Sequence, residues 1–421
     1  MVGGVFVVLL LAGVPIALVL MGTALFYILW SGQTVLLQSY AQQLFSGVES
    51  YGLLAIPLFM LTGELMNEGG ITQRLVGLAS AFMGRVRGGL AYVNLLVNMM
   101  VASIMGSAAA QMAVMSRAMV PAMQREGYDR PFAAATTAAG SLLSPIIPPS
   151  MLFVIYGVLA QIAIGDLFIA GILPGLLMAA SFLGVLALIG RVRELPVGER
   201  MGPGARLAAV RAGLPTLLIP FVIVGGIVAG IATPTESAAV ASVAAFLIGW
   251  LLYGEMRPSR LPAVLLRSGF NASIVVFIVA AAGVFGWVIV YERVPQELAA
   301  RLAGLTSDPF VFLLLVNLGL LLVGMVIDGI AALILLVPIL LPIAQQQYGI
   351  DPFHFGVVVC INLVLGLLTP PVGAGLFVMT AMTGVRPGAL VRALTPFLVA
   401  TALVLVLLSW QGGIVTALIG R

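Results

Sequence analysis

Stretches of roughly 20 apolar residues, the length needed to cross a hydrocarbon core, recur along the whole chain. They fall at about 3–30, 89–110, 167–190, 214–231, 234–253, 268–290, 309–325, 329–345 and 388–411. With 8% of 421 residues charged and 62% hydrophobic, the pattern predicts an all-α polytopic membrane protein. About eleven spanning or near-spanning helices are expected, because lipid leaves helices as the economical way to satisfy the backbone of such segments. The first window, MVGGVFVVLLLAGVPIALVLMGTALFYILW, lacks a basic start and is longer than a cleavable signal core. It reads as the first membrane helix.

Composition removes several function classes. Every basic residue is arginine, so a phosphate loop ending in Lys-Ser/Thr is impossible. A single cysteine, Cys360, excludes an internal disulfide, and a single histidine, His354, leaves little for a Ser-His or multi-histidine metal site. No Gly-x-Gly-Asp or serine-histidine arrangement supports an intramembrane protease, so no enzyme is expected. The formal net charge of +4 reflects topology rather than a nucleic-acid partner. Arginines crowd two loops, RVRELPVGERMGPGARLAAVR (191–211) and EMRPSRLPAVLLR (255–267), separated by two apolar segments. Both loops therefore face one side, which the positive-inside rule makes the cytoplasm.

The first of these loops divides the chain into two parts that resemble each other. Pro121, Pro131 and Phe132 match Pro342, Pro352 and Phe353 at one constant offset. Pro148-Pro149 and Pro370-Pro371 follow almost in register, Asn94 pairs with Asn317, and Gly106-Ser107 falls near Asp328-Gly329. Four coincidences in order predict an internal repeat. An odd number of spans per copy makes the copies inverted, and paired broken helices in two halves point to a transporter's binding site.

Each half carries such a break. FAAATTAAGSLLSPIIPPSMLFVIYGVL (132–159) and FGVVVCINLVLGLLTPPVGAGLFVMTAM (355–382) each read as two short helices meeting at prolines. Arms of about a dozen residues are too short to span alone, so two re-entrant hairpins are expected, at about 131–165 and 353–383. At a break the first arm's last carbonyls and the second arm's first amides lose their partners. A cation satisfies the former and an anion the latter. The hydroxyls of Ser144, Ser150 and Thr369 either cap these ends or bind sodium. Together with Pro148, Pro149, Pro370, Pro371 and Gly373 they form the candidate substrate region. Asn94, Asn98, Asn317 and Asn362 stand inside apolar helices, where interhelix hydrogen bonding competes evenly with a site role; Asn362 is carried as a substrate candidate. Asp328 lies in an apolar stretch, where an ionisable group is a functional hypothesis by default. Glu64 and Asn67, Glu236 and Arg293 are expected to serve hydrogen bonding, a helix start and an interfacial helix.

The motifs IPLFMLTGELMNEGGITQRL (56–75), RGGLAYVNLLVNMM (87–100), GSAAA (106–110), SPIIPPS, GIATPTESAAVA (230–241), GMVIDGIA (324–331) and FGVVVCINLVLGLLTPPVG (355–373) together resemble one family. It is the DctM-type large membrane subunit of TRAP transporters, the tripartite ATP-independent periplasmic systems. The resemblance implies sodium-driven uptake of a small organic acid across the bacterial inner membrane, with no organic cofactor. Its expected partners are a periplasmic substrate-binding protein and a separate four-helix membrane subunit. It also implies an elevator: residues 1–90 and 214–308 would form the scaffold and its amphipathic arms. Residues 91–190 and 309–421 would form the moving part, with 191–213 as cytoplasmic linker. Sodium would be held by Ser107 with Gly140, Ser141 and Ser144 at the first break, and by Asp328 with Gly366 and Thr369 at the second. Two positions depart from the family pattern, Gln111 where an aspartate is usual and Ser144 where glycine is usual. A stand-alone ion-coupled carboxylate carrier, needing no binding protein, is the competing expectation.

Overall fold

The computed structural model describes residues 2–83, 87–197 and 202–419. Among these residues the structure is helix and connecting turn, apart from one antiparallel bridge between Arg87 and Val197. Stretch 198–201 of the first arginine-rich loop, with Glu199 and Arg200, lies outside the described residues. The chain opens with α1 (Val2–Leu11), α2 (Ile16–Trp30), α3 (Leu36–Ser46), α4 (Ala55–Glu68) and α5 (Ile71–Met83). Next come α6 (Gly89–Met105), α7 (Ala108–Arg125), α8 (Arg130–Ser141), α9 (Met151–Ala160) and α10 (Ile164–Val192). A second series starts with α11 (Pro203–Gly213), α12 (Leu218–Val228), α13 (Pro234–Leu247), α14 (Leu261–Tyr291) and α15 (Val294–Ala303). It ends with α16 (Pro309–Gly324), α17 (Gly329–Gln346), α18 (Pro352–Leu367), α19 (Ala374–Thr383), α20 (Pro387–Trp410) and the single turn α21 (Gly413–Thr416).

Six of the described helical segments are long and apolar enough to cross a membrane, and α3 with the segment Tyr51–Glu68 makes a seventh, bent by 49°. Six further apolar helices are shorter. The difference from a simple run of eleven spans has a local cause. Window 3–30 breaks between α1 and α2, where Pro15 offers no amide to continue the ladder. Window 89–110 breaks at Gly106, whose φ of +59° suits glycine and strains other residues.

The succession α6 to α10 recurs as α16 to α20. In both, an aspartate caps the third helix and a proline occupies its first turn. Asp129 accepts from Phe132 N at 3.2 Å, and Asp351 accepts from Phe353 N at 2.8 Å. Packing crosses between the two sets: α7 lies on α19 and α17 on α9, while α8 lies on α20 and α18 on α10.

The breaks fall where the prolines and serines are, at 142–150 and 368–373. The hairpin expected at the first break does not form. Helices α8 and α9 do not pack along each other; α8 lies on α6, α7 and α20, and α9 on α17, α10 and α18. The physical reason is the length of the first connection, nine residues that separate the arms and let each find other partners. Helix α6 packs on α7 and α16 on α17 across tight turns, as α7 does on α8 and α17 on α18. The first break is buried almost throughout, whereas Pro370, Pro371 and Val372 of the second are exposed.

Candidate functional site

The α6–α7 and α16–α17 turns each meet one of the two breaks. Gly106, at the α6–α7 turn, presses on the first break: a Cβ there would stand 3.2 Å from Met151 N. The second break is tied to the α16–α17 turn, since Gly373 N donates to the Met325 carbonyl at 2.8 Å. Close by, α16 and α18 touch backbone to backbone, and a Cβ on Gly366 would lie 2.8 Å from the Gly324 carbonyl carbon.

At this junction lies a small cleft of about 50 Å³, lined among others by Gly106, Ser107, Pro145, Met151, Asp328 and Leu367. Three helices begin on it. Ser107 caps α7, accepting from Ala110 N at 3.5 Å. Asp328 caps α17, accepting from Ile330 N at 3.0 Å. Ser150 caps α9, accepting from Phe153 N at 3.2 Å and donating to the Pro145 carbonyl. Converging helix N-termini aim amides and partial positive charge at one volume. Asp328 is exposed and brings a full negative charge to the same place.

A second cleft, of about 270 Å³, shares Ser107, Met151 and Ile330 with the first and is also lined by α4 and α14. Helix α4 contributes Met60, Gly63, Glu64 and Asn67, a helical spacing that puts all four on one face, and α14 contributes Asn271 and Val275. Behind Glu64 an ion-pair cluster joins the two helices. Arg267 Nε lies 3.6 Å from Glu64, Arg267 Nη2 donates to Glu68 at 2.8 Å, and Arg260 lies 3.8 Å from Glu68.

Of the residues singled out in the sequence, Ser107 and Asp328 are brought together on the first cleft. Ser144 is fully buried and its hydroxyl has no partner. Ser141 donates to Asn98 Oδ1 at 3.1 Å, and Gly140 packs on the Asn98 side chain. Asn98 is the centre of a buried ladder. It donates to Asn94 Oδ1 and receives Gln111 Nε2, both at 2.8 Å, while Asn94 donates to Thr137. Asn362 donates to Asn317 Oδ1 at 3.0 Å, Asn317 donates to Ser409 at 2.9 Å, and Asn362 Oδ1 stays unpartnered. Thr369 donates back to the Leu365 carbonyl at 2.7 Å. Pro148 and Pro149 are buried and Pro370 and Pro371 exposed, and neither pair is among the described residues lining the two clefts.

Other readings resolve into local structure. Glu236 and Thr233 form a capping box. Arg293 precedes α15. His354 Nε2 bonds the Leu408 carbonyl at 2.8 Å. Glu64 and Asn67, read as structural, face the second cleft, and Asn271 was not singled out at all. Its signal was an amide one helical turn from Val275 inside a long apolar helix.

An all-helical membrane chain with paired interrupted helices around a central cleft is a transporter architecture. The family described as "Tripartite ATP-independent periplasmic transporter, DctM component" matches residues 3–414, and the chain belongs to it. It is thus a transporter permease and not an enzyme. The chain is 39% identical to the "C4-dicarboxylate TRAP transporter large permease protein DctM" of Pseudomonas aeruginosa, over 94% of this chain and 92% of that one. It is 36% identical to the "Sialic acid TRAP transporter large permease protein SiaM" of Vibrio cholerae, over 97% and 96%. Among solved structures, the YdaH transporter of Alcanivorax borkumensis shares the fold at a TM-score of 0.68 and 14% identity, covering 91% of this chain and 89% of that one.

Proposed function

We propose that the chain is the permease subunit of a sodium-coupled, binding-protein-dependent secondary transporter that imports an organic acid across a bacterial inner membrane. Large permeases of this family normally work with a periplasmic binding protein and a small membrane subunit, and both are the partners proposed here.

One observation carries the reading. Three helix N-termini converge on the cleft that also holds the exposed carboxylate of Asp328. The helix ends attract a carboxylate substrate, and Asp328 repels it. Among the described residues lining the two clefts there is no arginine or lysine to offset that charge. A cation at Asp328 removes the repulsion, so substrate and cation each favour the other's binding, which is the thermodynamic content of coupling. The donors on this cleft are oxygens, the Asp328 carboxylate and the Ser107 hydroxyl; the unpartnered Ser144 Oγ and Gln111 Oε1 are buried outside the cleft linings. Such a set suits a hard cation. Sodium is assigned to Ser107 with Gly140, Ser141 and Ser144, and to Asp328 with Gly366 and Thr369. Of the substrate candidates Ser144, Pro148, Pro149, Ser150, Thr369, Pro370, Pro371, Gly373 and Asn362, Ser150 alone caps a helix that begins on the first cleft, and the substrate carboxylate is assigned to that end together with those of α7 and α17.

The crossed packing of α6–α10 with α16–α20 fits inverted copies that move as one body. The second cleft, between that body and α4 with α14, is the seam of an elevator. The test is Asp328→Asn, co-reconstituted with the small subunit and binding protein in vesicles. Sodium-dependent uptake is expected to vanish while gel-filtration behaviour stays native; wild-type uptake rates overturn the proposal. Uptake by the wild-type chain without any binding protein points instead to a stand-alone carrier.

A further inference from the structure

Resting on the reading above, we infer that the α4–α14 wall of the second cleft selects hydroxylated monocarboxylates over dicarboxylates. A carboxylate held at the three helix N-termini has the second cleft directly beside it, because Ser107, Met151 and Ile330 line both volumes; the rest of the molecule is placed there. At about 270 Å³ the second volume lies just below the usual range of small-molecule sites, enough for the carbon skeleton of a small organic acid.

The chemistry of the far wall is specific. Asn67 and Asn271 are half-buried, and neither carboxamide has a hydrogen-bond partner within the described residues. Each offers two donors and one acceptor oxygen. Glu64, one helical turn from Asn67, is half-buried and accepts only. Its contact to Arg267 is 3.6 Å, while the same guanidinium makes its short bond, 2.8 Å, to Glu68. Glu64 therefore keeps capacity to accept a bond from the cleft. Hydroxyl groups, which donate and accept at once, match all three residues. A second carboxylate matches the amides but faces Glu64 as a like charge, a repulsive element of the kind that sets specificity. Met60, Val275 and Met151 supply apolar surface for the carbon skeleton between the two ends.

The experiment uses the full chain with its small subunit in lipid nanodiscs at saturating sodium, titrated with D-gluconate, D-glucuronate, succinate and L-malate. The two sugar acids are expected to bind at least about tenfold more tightly than the two dicarboxylates, a ratio on the scale of one or two hydrogen bonds. Asn67→Leu and Asn271→Leu should each remove about tenfold of the sugar-acid affinity and little of the dicarboxylate affinity. Glu64→Gln should narrow the preference by raising dicarboxylate affinity. Should Glu64→Gln fail to fold after losing its Arg267 partner, the two asparagine variants still decide. Equal or tighter binding of succinate by the wild type, or an unchanged preference in both asparagine variants, overturns the inference. If Asp328→Asn abolishes sodium-dependent binding while the asparagine variants keep wild-type selectivity, the coupled site stands and only the selective wall falls. If the wild type binds none of the four acids in a sodium-dependent way, both fall.

Discussion

Ser144 holds a hydroxyl with no partner in a place closed to solvent. An orphaned buried polar group costs about 1–3 kcal/mol, so in the absence of a bound cation Ser144→Ala is expected to raise stability by about 1 kcal/mol. If the hydroxyl is a sodium ligand, the same substitution diminishes the extra stability that sodium confers. Thermal unfolding in sodium and in choline separates the two effects; an undiminished sodium shift in Ser144→Ala removes this residue from the ion site. Gly106 makes the opposite case. Its left-handed backbone and its 3.2 Å approach to Met151 N mean that Gly106→Ala strains both the turn and the break it touches. A loss of about 1–2 kcal/mol is expected, read as a lower melting temperature.

At the scale of elements, α6, α7 and α8 are joined by polar contacts that lipid cannot replace. Asn98 serves Asn94, Gln111 and Ser141 at once. Asn98→Leu strips Asn94 Oδ1 of its donor, while Gln111 keeps the Asn98 carbonyl and Ser141 the Thr137 carbonyl, and a destabilisation of about 1–3 kcal/mol is expected. Asn317→Leu interrupts a shorter chain, between Asn362 and Ser409, and should cost less; equal melting temperatures for the two variants would contradict the ladder's role. These asparagines show what sequence could and could not tell. Four amides inside apolar helices were visible as polar anchors, but which helices they join is a matter of three-dimensional packing. The breaks at SPIIPPS and LLTPPVG were legible because proline and serine mark them locally. Their shape was not, because a hairpin and a bent crossing need the same breakers and differ only in what the second arm packs against. The Gly106-Ser107 turn was missed as a helix boundary for a related reason. Two residues within an apolar window leave the hydropathy unchanged, and only the positive φ reveals the reversal.

For the molecule as a whole, the decisive matter is whether the seam between α4 with α14 and the α6–α10/α16–α20 body is a sliding surface. Within the presumed scaffold, contact is polar and close: Thr62 on α4 and Ser242 on α13 bring their hydroxyl oxygens to 2.7 Å. Across the seam, Met60 of α4 and Val114 of α7 instead both line the second cleft. The one native thiol, Cys360, is buried and does not interfere with cysteine chemistry. A disulfide from Thr62→Cys with Ser242→Cys joins helices that move together in an elevator, and uptake should persist. A thiol-specific bridge from Met60→Cys to Val114→Cys joins helices that must slide, and uptake should stop until the bridge is cleaved. Undiminished uptake with the second bridge in place would mean that the substrate crosses without relative motion at this seam. The cleft would then be a fixed pathway, and the cation proposed at Asp328 would have to leave by local rearrangement of the α16–α17 turn alone.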